Sequence, residues 1–440
     1  MKKKKRAHFI GIGGIGMSGM AMIFQSQGCR VTGSDSNPAS PICQDLRQRG
    51  IRIWGDSQKT LPETADLAIY TKAIPQDHPL IQDCRKKKIP LFSYSQMLGH
   101  LMSAKIGIAV AGTHGKTTTT GLLASIFRAA GKKPGYLIGG EMRDWGGHGK
   151  WGQGAYFISE ACEYKGSFLD LTPQHILINN IDQDHLDYFE DMEAIEKTFQ
   201  QFLTKLSPGS ALVYCMDCPT SRALVQKLGF PAISFGLDKE KNPVVLGQNL
   251  RLLRGGLEMD IYRKGKYQGT VTSTLLGTHN CRNILGAYAM SQALGISFEA
   301  FAKGVGEFKG VARRLEKLGE VSGVEVLDDY GHHPAEIKAV YEAIRQRYRD
   351  KKVFLVFQPH QYSRTYQLFS EFAVALAEWD EVILPEIYSA RDSQADKMRV
   401  SSRRLSQEIN LLGGKSSFIP NFYEISHYLC QKAQPGDVIL

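Results

Sequence analysis

A buried strand that leads through a short glycine turn into a helix opening with Lys-Thr most restricts the fold of this chain. Residues 106–111 (IGIAVA) form the strand candidate, and residues 112–118 (GTHGKTT) follow directly. This order is typical of a phosphate-binding loop, in which backbone amides surround the phosphates, Lys116 neutralises them and Thr117 can bind Mg²⁺. The usual pattern has glycine where this chain has Val110. The strand, turn and helix context still predicts a site for ATP or a related nucleotide.

A second glycine-rich turn, GIGGIG at residues 11–16, lies between an apolar strand candidate and a helical pattern. Such glycines let a diphosphate approach the amides at the N-terminus of the helix. Asp35 follows Gly16 by 19 residues, where a ribose-binding carboxylate is expected. Taken alone, the pattern indicates an NAD-dependent oxidoreductase, and the alternative is a turn that binds nothing. The motif predicts a diphosphate nucleotide without specifying which one.

Strands and helices alternate along most of the chain, which predicts α/β domains built on parallel sheets. At roughly 150 residues per domain, the 440 residues correspond to three domains. We place these domains at residues 1–104, 105–308 and 309–440. The segment 244–276 alternates polar and apolar residues without a helical period, so we expect a small antiparallel section there.

Polar side chains cluster where the predicted strands of the central domain end, and α/β sheets hold their functional groups at such ends. Glu160 ends one strand, and the segment DQDHLD (182–187), which contains His185, follows another. Carboxylates and an imidazole beside Thr117 can hold one or two metal ions. The alternative is a solvated turn whose aspartates cap a helix.

Two more polar clusters follow strands of the third domain, DDYGHHP (328–334) and QPHQYSR (358–364). Clusters at two strand ends of one sheet are expected to converge on one crevice. The adjacent histidines can serve as metal ligands, general bases or donors to a substrate carboxylate, and their spacing does not choose among these roles. Arg313 and Arg314 can reach a phosphate across a domain cleft or form an exposed pair.

The composition excludes several classes of partner. The net charge is 54 − 44 = +10, and the basic run at residues 2–6 has no interleaved aromatic residues and no nucleic-acid module with it. No apolar stretch approaches the roughly 18 residues of a membrane span. The eight cysteines include one CxxC pair, and nothing nearby completes a zinc site. We therefore expect a cytoplasmic protein that acts on anionic small molecules, with neither nucleic acid nor membrane as a partner.

Eight segments carry a resemblance when they are taken in chain order: HFIGIGGIGMSGMA, GTHGKTTTT, SEACEYKGSFL, NNIDQDHLDYF, GTHNCRN, GVARRLE, DDYGHHPAEI and PHQYSRT. Together they resemble the Mur ligase family over residues 7–440. The resemblance implies three α/β domains: an N-terminal Rossmann-like domain for a UDP-sugar, a central P-loop ATPase-type domain and a C-terminal Rossmann-like domain. The diphosphate at the first glycine turn would then belong to UDP rather than to NAD.

The resemblance also implies the site residues. The UDP-sugar diphosphate region is expected at Gly13, Gly14, Ile15, Gly16, Met17 and Ser18, with Asp35 and Thr71 nearby. ATP is expected at Gly112, Thr113, His114, Gly115, Lys116, Thr117 and Thr118, with Asn280 and Asn283 at the adenine and Arg314, Asp329 and Tyr330 closing from the other side. Mg²⁺ is expected at Thr117, Glu160 and His185. The substrate alanine or the transferred phosphoryl group would be oriented by His332, His360 and Arg364. Catalytic roles are implied for Lys116, His185, His332 and Arg364.

The activity implied by the resemblance is an ATP- and Mg²⁺-dependent ligation. The motifs are most similar to the branch that joins L-alanine to the lactyl carboxylate of UDP-N-acetylmuramate in peptidoglycan precursor synthesis, through an acyl phosphate. The alternative within the family is the recycling branch, which attaches a preformed peptide to the same sugar. Outside the family, an oxidoreductase would leave residues 112–118 unexplained, and a binding-only regulator would release no phosphate. We expect a monomer or a weak homodimer with domain hinges near residues 105 and 309.

Three departures from the family pattern stand out. Gln361 occupies a position that is often basic, which leaves Arg364 as the main guanidinium for the alanine carboxylate. The segment EACEYK (160–165) replaces a more acidic EADESD-type segment but keeps Glu160. Relatives usually continue beyond GDVIL (436–440), so we expect a trimmed or fused C-terminus. Apart from these departures, some relatives have a carbamylated lysine in the central domain; Lys197 lies in that neighbourhood, and we do not assign it this role.

Overall fold

Three β-sheets follow one another along the chain in a computed structural model that describes residues 5–61, 63–143, 145–184, 188–389 and 392–440. Most of their strands are parallel and are connected through helices, which confirms the predicted α/β class with three successive units. In the part of the chain that the structure describes, no helix has both the length and the apolar character needed to cross a membrane.

The first sheet is entirely parallel, with the strand order β3-β2-β1-β4-β5. Its strands are β1 (Arg6–Ile10), β2 (Arg30–Asp35), β3 (Arg52–Gly55), β4 (Leu67–Tyr70) and β5 (Leu91–Ser93). Its helices are α1 (Ile15–Ser26), α2 (Pro41–Gln48), α3 (Pro79–Lys86) and α4 (Tyr94–Ser103). Local sequence starts these helices: Ser40 caps α2 ahead of Pro41, and Ser93 forms a capping box with Gln96 in α4.

The second sheet has ten strands in the order β15-β14-β13-β12-β11-β10-β6-β9-β7-β8. The strands are β6 (Ile106–Ala111), β7 (Gly135–Met142), β8 (Gly147–Lys150), β9 (Tyr156–Ala161), β10 (His175–Ile178), β11 (Leu212–Cys215), β12 (Ile233–Gly236), β13 (Val245–Leu253), β14 (Gly256–Arg263) and β15 (Lys266–Ser273). The helices are α5 (Lys116–Ala129), α6 (Met192–Leu203), α7 (Pro219–Leu228), α8 (Thr278–Ala293) and α9 (Phe298–Glu307), and two 3₁₀ segments lie at Tyr164–Asp170 and Lys239–Lys241.

The third sheet has the order β16-β17-β21-β18-β19-β20, and only its β16–β17 pair is antiparallel. Its strands are β16 (Glu316–Val321), β17 (Val324–Asp328), β18 (Val353–Val356), β19 (Glu381–Leu384), β20 (Ser416–Phe418) and β21 (Val438–Ile439). Its helices are α10 (Pro334–Arg347), α11 (Tyr362–Gln367), α12 (Phe369–Ala377), α13 (Gln394–Arg399), α14 (Ser402–Leu411) and α15 (Phe422–Lys432).

The antiparallel section predicted for residues 244–276 is present as β13, β14 and β15, which pair in antiparallel order. The hairpin of β7 and β8 was not predicted from the sequence. Its segment is rich in glycine, which has no side chain to mark an alternating pattern and is depleted in strands.

The first and second units share one apolar core. Met20 of α1, Met102 of α4, Leu137 of β7 and Phe157 of β9 belong to a single buried cluster. Helix α1 lies so close to the β7–β8 hairpin that a Cβ added at Gly149 would overlap the backbone of Gly19. A shared, tightly packed core resists relative movement, so the hinge expected near residue 105 has no support in this packing.

The third unit has core clusters of its own, apart from Val311 just after the junction, which packs in the core of the second unit. Several of its other contacts with the second unit are polar. The Gln346 side chain donates to the carbonyl oxygen of Leu253 at 2.8 Å and accepts from the Gly277 amide at 2.8 Å. Such an interface breaks with less loss of apolar burial than a shared core does. The junction near residue 309 is therefore the better candidate for a hinge.

We expect Gly149→Ala to lower the thermal unfolding midpoint, because a methyl group there forces α1 away from the hairpin. Overpacking of this kind costs about 1–3 kcal/mol. The matched control is Gly306→Ala in α9, where an added Cβ meets no atom within 4 Å and alanine is the better helix former. Calorimetry checks both variants, and equal midpoints for both would show that the close approach does not stabilise the protein.

Candidate functional site

A cavity of about 740 Å³ lies between the second and third units. Ligand pockets commonly have volumes of ~300–1,000 Å³, so a nucleotide fits. The phosphate-binding loop, α8 and the ends of neighbouring strands line it from the second unit, and the segment after residue 309 together with α10 lines it from the third. Predicted ATP contacts in this lining are His114, Gly115, Thr118, Asn280, Asn283, Arg314 and Asp329.

The phosphate-binding loop depends on glycine at two positions. Gly112 has φ +133° and Gly115 has φ +79°, conformations that other residues rarely adopt. A Cβ on Gly115 would also lie 2.5 Å from the Asn283 amide oxygen. Gly115 is the N-cap of α5, so unsatisfied amides at the start of this helix are available to an anion.

Lys116 is held against its own loop. Its amine donates to the carbonyl oxygens of Gly112 and, at 3.1 Å, Thr113, and it pairs with the Glu163 carboxylate at 3.1 Å. Burial is the largest single influence and would lower the pKa of Lys116, but the charge and hydrogen bond of Glu163, together with smaller contributions from other nearby groups, outweigh it and the pKa is raised. Glu163 is only 2% exposed. It lies in the segment EACEYK, where a role was predicted for Glu160 alone, and its place in that segment three residues after Glu160 was the available signal.

Two of the three predicted metal ligands meet. The Thr117 hydroxyl donates to Glu160 Oε2 at 3.1 Å, and the Gly139 amide donates to the other carboxylate oxygen. Burial raises the pKa of Glu160, so a nearby cation would favour its ionised form. A hydroxyl and a carboxylate are oxygen ligands of the kind that Mg²⁺ prefers. The residues present therefore fit Mg²⁺.

The third predicted metal ligand, His185, lies outside the described residues, as does Asp187. Within the described ranges, no group of three or more histidine, cysteine, aspartate or glutamate side chains is arranged to hold a metal ion.

The cavity wall formed by α8 carries amide and imidazole groups. Asn283 donates to the Asn280 side-chain oxygen at 2.9 Å, and Asn280 donates to the Leu276 carbonyl oxygen at 2.7 Å. His279 Nδ1 is buried and has no hydrogen-bond partner among the described residues. Burial and nearby arginines lower the pKa of His279 to about 4. A neutral imidazole and two amides suit an uncharged heterocycle such as a nucleobase.

Arg314 and Asp329 reach the same cavity from the third unit. Asp329 accepts the Leu315 and Gly331 amides at 2.8 and 2.7 Å and so shapes its own loop. Tyr330 is 49% exposed, packs against the Arg313 guanidinium at 4.8 Å and does not line the cavity within the described part of the chain. Tyr330 thus lies outside the cavity lining but remains beside Arg314, whose guanidinium is 5.8 Å from its ring centroid.

His333 caps helix α10, which identifies its ring tautomer. Its Nδ1 accepts the Ala335 amide at 3.2 Å, so the proton is on Nε2, which donates to the Gln183 carbonyl oxygen at 3.0 Å across the cleft. His333 therefore acts as a hydrogen-bond donor between units, a role that is none of the three expected for the adjacent histidines.

The predicted amino-acid site brings His332 and His360 together, with ring centroids 6.5 Å apart. His360 stacks on Tyr388 at 5.3 Å, and Tyr388 was not predicted. Arg364 is only 8% exposed, donates to the His360 carbonyl oxygen at 2.9 Å and pairs with Asp184 across the cleft at 3.2 Å. A substrate carboxylate would have to compete with Asp184 for this guanidinium.

The N-terminal glycine turn is shaped by Asp35. Its Oδ2 accepts the Gly13 amide at 2.8 Å, which makes the carboxylate a support of the turn. Gly14 and Ile15 are exposed, whereas Gly13 and Gly16 are half-buried. Thr71 forms a turn at the end of β4, where its hydroxyl accepts the Ala73 amide.

The side chains of Met17 and Ser18 are buried in the protein and do not reach the exposed face of the turn. The Ser18 hydroxyl contacts His148 Nε2 at 2.9 Å and donates to the Ile15 carbonyl oxygen, and its amide donates to Gly14. Packing of the second unit against α1 buries both side chains, Ser18 against His148 of β8, and the motif alone does not reveal this.

Comparison with known proteins finds three family models that match this chain one after another. The catalytic domain of the Mur ligase family matches residues 6–106, the Mur ligase middle domain matches residues 110–291, and the Mur ligase glutamate ligase domain matches residues 313–440.

Curated UDP-N-acetylmuramate–L-alanine ligases are similar over the whole chain. The enzyme of Pelotomaculum thermopropionicum is 39% identical, with 100% of this chain and 95% of the relative covered. The enzyme of Aquifex aeolicus is also 39% identical, with 99% and 94% covered.

Solved structures of ligases resemble this chain along nearly its whole length. The UDP-N-acetylmuramate–alanine ligase of Thermotoga maritima has a TM-score of 0.82 at 26% identity, covering 99% of this chain and 94% of that one. A murein peptide ligase of Psychrobacter arcticus has a TM-score of 0.73 at 22% identity, covering 99% and 95%, a likeness that shows the fold alone. Three matched domains in order and relatives of this identity over the full chain give one conclusion: the chain belongs to the Mur ligase family.

Proposed function

We propose that this chain is an ATP-dependent ligase that joins L-alanine to the lactyl carboxylate of UDP-N-acetylmuramate. The observation that carries the proposal is the 39% identity to L-alanine ligases over nearly the whole of both chains. The phosphate-binding loop opening into a cavity shared by two units supports it. The peptide-recycling reaction is the alternative, and the solved structures of ligases of that kind are 22% and 26% identical to this chain, below the 39% of the L-alanine ligases.

The reaction requires two steps, because a carboxylate is a poor acyl donor. A lactyl carboxylate oxygen attacks the γ-phosphorus of ATP and ADP departs, which leaves an acyl phosphate. The uncharged amine of alanine then attacks the acyl carbon, the C–O bond to phosphate breaks, and the amine loses its proton as the amide forms. Two anions meet in the first step, so cationic side chains are needed at the meeting point.

The chain supplies these cations from both sides of the cavity. Lys116 and His114 come from the phosphate-binding loop, and Arg314 comes from the third unit. When phosphate binds, Lys116 can exchange the carbonyl oxygens of its own loop for phosphate oxygens. Mg²⁺ held by Thr117 and Glu160 would further offset the charge of the phosphates.

We assign the two substrates to opposite parts of the molecule. Gly13 to Gly16 would hold the UDP diphosphate on a turn that Asp35 supports. His332, His360 and Arg364 would orient alanine, with Asp184 releasing Arg364 as the amino acid enters. Exclusion of water protects the acyl phosphate from hydrolysis, so the third unit would close by a hinge near residue 309.

We also propose the domain limits 1–104, 105–308 and 309–440, a cytoplasmic location and a monomer or weak homodimer. Phosphorylated small molecules would then be the partners, in line with the net charge of +10.

The decisive test is phosphate release from Mg²⁺-ATP with UDP-N-acetylmuramate, with and without L-alanine, followed by mass measurement of the product. We expect release that depends on both substrates and a product with one amide-linked alanine. Release with a preformed peptide and none with alanine would assign the chain to the recycling reaction. No release with either acceptor would contradict ligase activity.

Lys116→Ala is expected to lower the rate of phosphate release by about 10²–10³-fold, since one preorganised cation is lost at the developing charge. Binding of UDP-N-acetylmuramate, measured by calorimetry, should persist because its site lies on another unit. The variant Lys116→Ala/Glu163→Gln controls for the buried carboxylate left unpaired. Equal loss of sugar binding and phosphate release would refute the separate placement of the two substrates.

Arg364→Ala is expected to raise the KM for alanine more than the KM for ATP, because the guanidinium is assigned to the alanine carboxylate. An increase of about 10-fold or more in the KM for alanine corresponds to the loss of one charge-assisted hydrogen bond. The control is Asp184→Asn, which frees Arg364 without removing it. Parallel changes in both KM values would reject the assignment and leave Arg364 as a link between units.

A further inference from the structure

Glu336 lies where groups from two units converge on one carboxylate. Its Oε1 is 3.6 Å from His114 Nδ1 of the phosphate-binding loop and 3.6 Å from Arg314 Nη1. Its Oε2 accepts the His332 amide at 3.0 Å and lies 3.5 Å from His332 Nδ1. His114 belongs to the second unit and the other groups belong to the third, so Glu336 links the units at the cavity.

The carboxylate is well enclosed, with its side chain only 11% exposed. Although burial opposes ionisation, His332, His114 and Arg314 together hold the pKa of Glu336 well below its usual range. The carboxylates of Asp182 and Glu336, 3.7 and 3.6 Å from the His114 ring nitrogens, raise the pKa of His114 to about 9 against the effect of burial. The cross-cleft contact is therefore a pairing of opposite charges.

Neutralising Glu336 would leave cations facing one another. His114 and Arg314 approach the same carboxylate oxygen, and like charges at such separations repel strongly when they are shielded from water. Without Glu336, moving Arg314 toward the phosphate-binding loop would be opposed by His114. The carboxylate thus makes it possible for cations from both units to gather at one phosphate site.

A simpler role for Glu336 is a helix cap, since it is the third residue of α10 and its carboxylate accepts the His332 amide just before the helix. This role needs only a hydrogen-bond acceptor, and a glutamine side chain supplies one. The cross-cleft role needs a negative charge. Glu336→Gln therefore separates the two roles.

We propose that Glu336 is a positioning residue for the ligase reaction, one that draws the third unit onto the phosphate-binding loop and aligns Arg314 beside His114. Its kinetic consequences rest on the proposed function, whereas its effect on the arrangement of the units does not. Glu336 contacts cations that act on the substrate and need not touch the substrate itself.

The kinetic test is a double-mutant cycle on Glu336→Gln and His114→Asn. Each single variant is expected to lower kcat for alanine ligation by at least about tenfold, and the double variant should lie within about threefold of the worse single variant. The affinity for a non-hydrolysable ATP analogue in the presence of Mg²⁺, measured by calorimetry, should change less than kcat does. Additive effects of the two substitutions would overturn the proposal.

Glu424→Gln is the matched control, because Glu424 is the third residue of α15 beside its cap Asn421 and lies on a surface helix of the same unit. It should leave kcat at the parental value. Glu336→Gln should unfold at the parental midpoint, since its amide oxygen can still accept the His332 amide. If Glu336→Gln has the parental kcat and only Glu336→Ala has a lower unfolding midpoint, Glu336 acts as a helix cap and the proposal is overturned.

Small-angle X-ray scattering tests the same link without ligation. With the ATP analogue and Mg²⁺ bound, the parent is expected to have a smaller radius of gyration than Glu336→Gln, while Glu424→Gln matches the parent. If the parent forms no alanine product but this difference is present, the proposed function fails and the role of Glu336 stands. If product forms and the radii are equal, the proposed function stands and the role of Glu336 fails.

Discussion

The cavity of this protein depends on buried carboxylates that compensate a concentration of positive charge. Lys116 is paired with Glu163, and His114 and Arg314 share Glu336. Cations brought together in a partly dry site repel one another unless anions lie among them. These carboxylates therefore allow the cations to be in place before a phosphorylated ligand arrives. The ligand then competes with groups of the protein for cations that are already oriented.

The two junctions between units differ in their physical character, and this difference decides which part can move. Helix α1 shares an apolar core with the second unit and approaches the β7–β8 hairpin at backbone distance. The third unit instead uses hydrogen bonds and ion pairs, such as Gln346 with Gly277 and Arg364 with Asp184. Polar contacts can be exchanged for water or ligand, whereas a packed core cannot be opened at low cost. The glycine turn and the phosphate-binding loop thus form one rigid body, and the third unit is the part suited to close.

Much of the fold followed from local pattern. The strand and turn at residues 106–118 and the antiparallel segment within 244–276 lie where periodicity and glycine spacing predicted them. The β7–β8 hairpin did not follow, because glycine gives no alternation to read. Met17 and Ser18 directly follow the GIGGIG turn, but their side chains are buried because the second unit packs against the start of α1. Glu163 and Glu336 lie within quoted motifs without an assigned role, and Tyr388 lies outside them.

The sequence by itself determined the α/β class, the two glycine-dependent turns and the residue types that handle phosphate. These features arise from short-range constraints: φ angles that only glycine adopts freely, helix starts and strand periodicity. Only the tertiary structure decided which charges meet. Glu336 lies more than 200 residues beyond His114 in the chain, and Asp184 meets Arg364 across the cleft. Pairings of this kind depend on how separately folded units pack, and no local pattern encodes them.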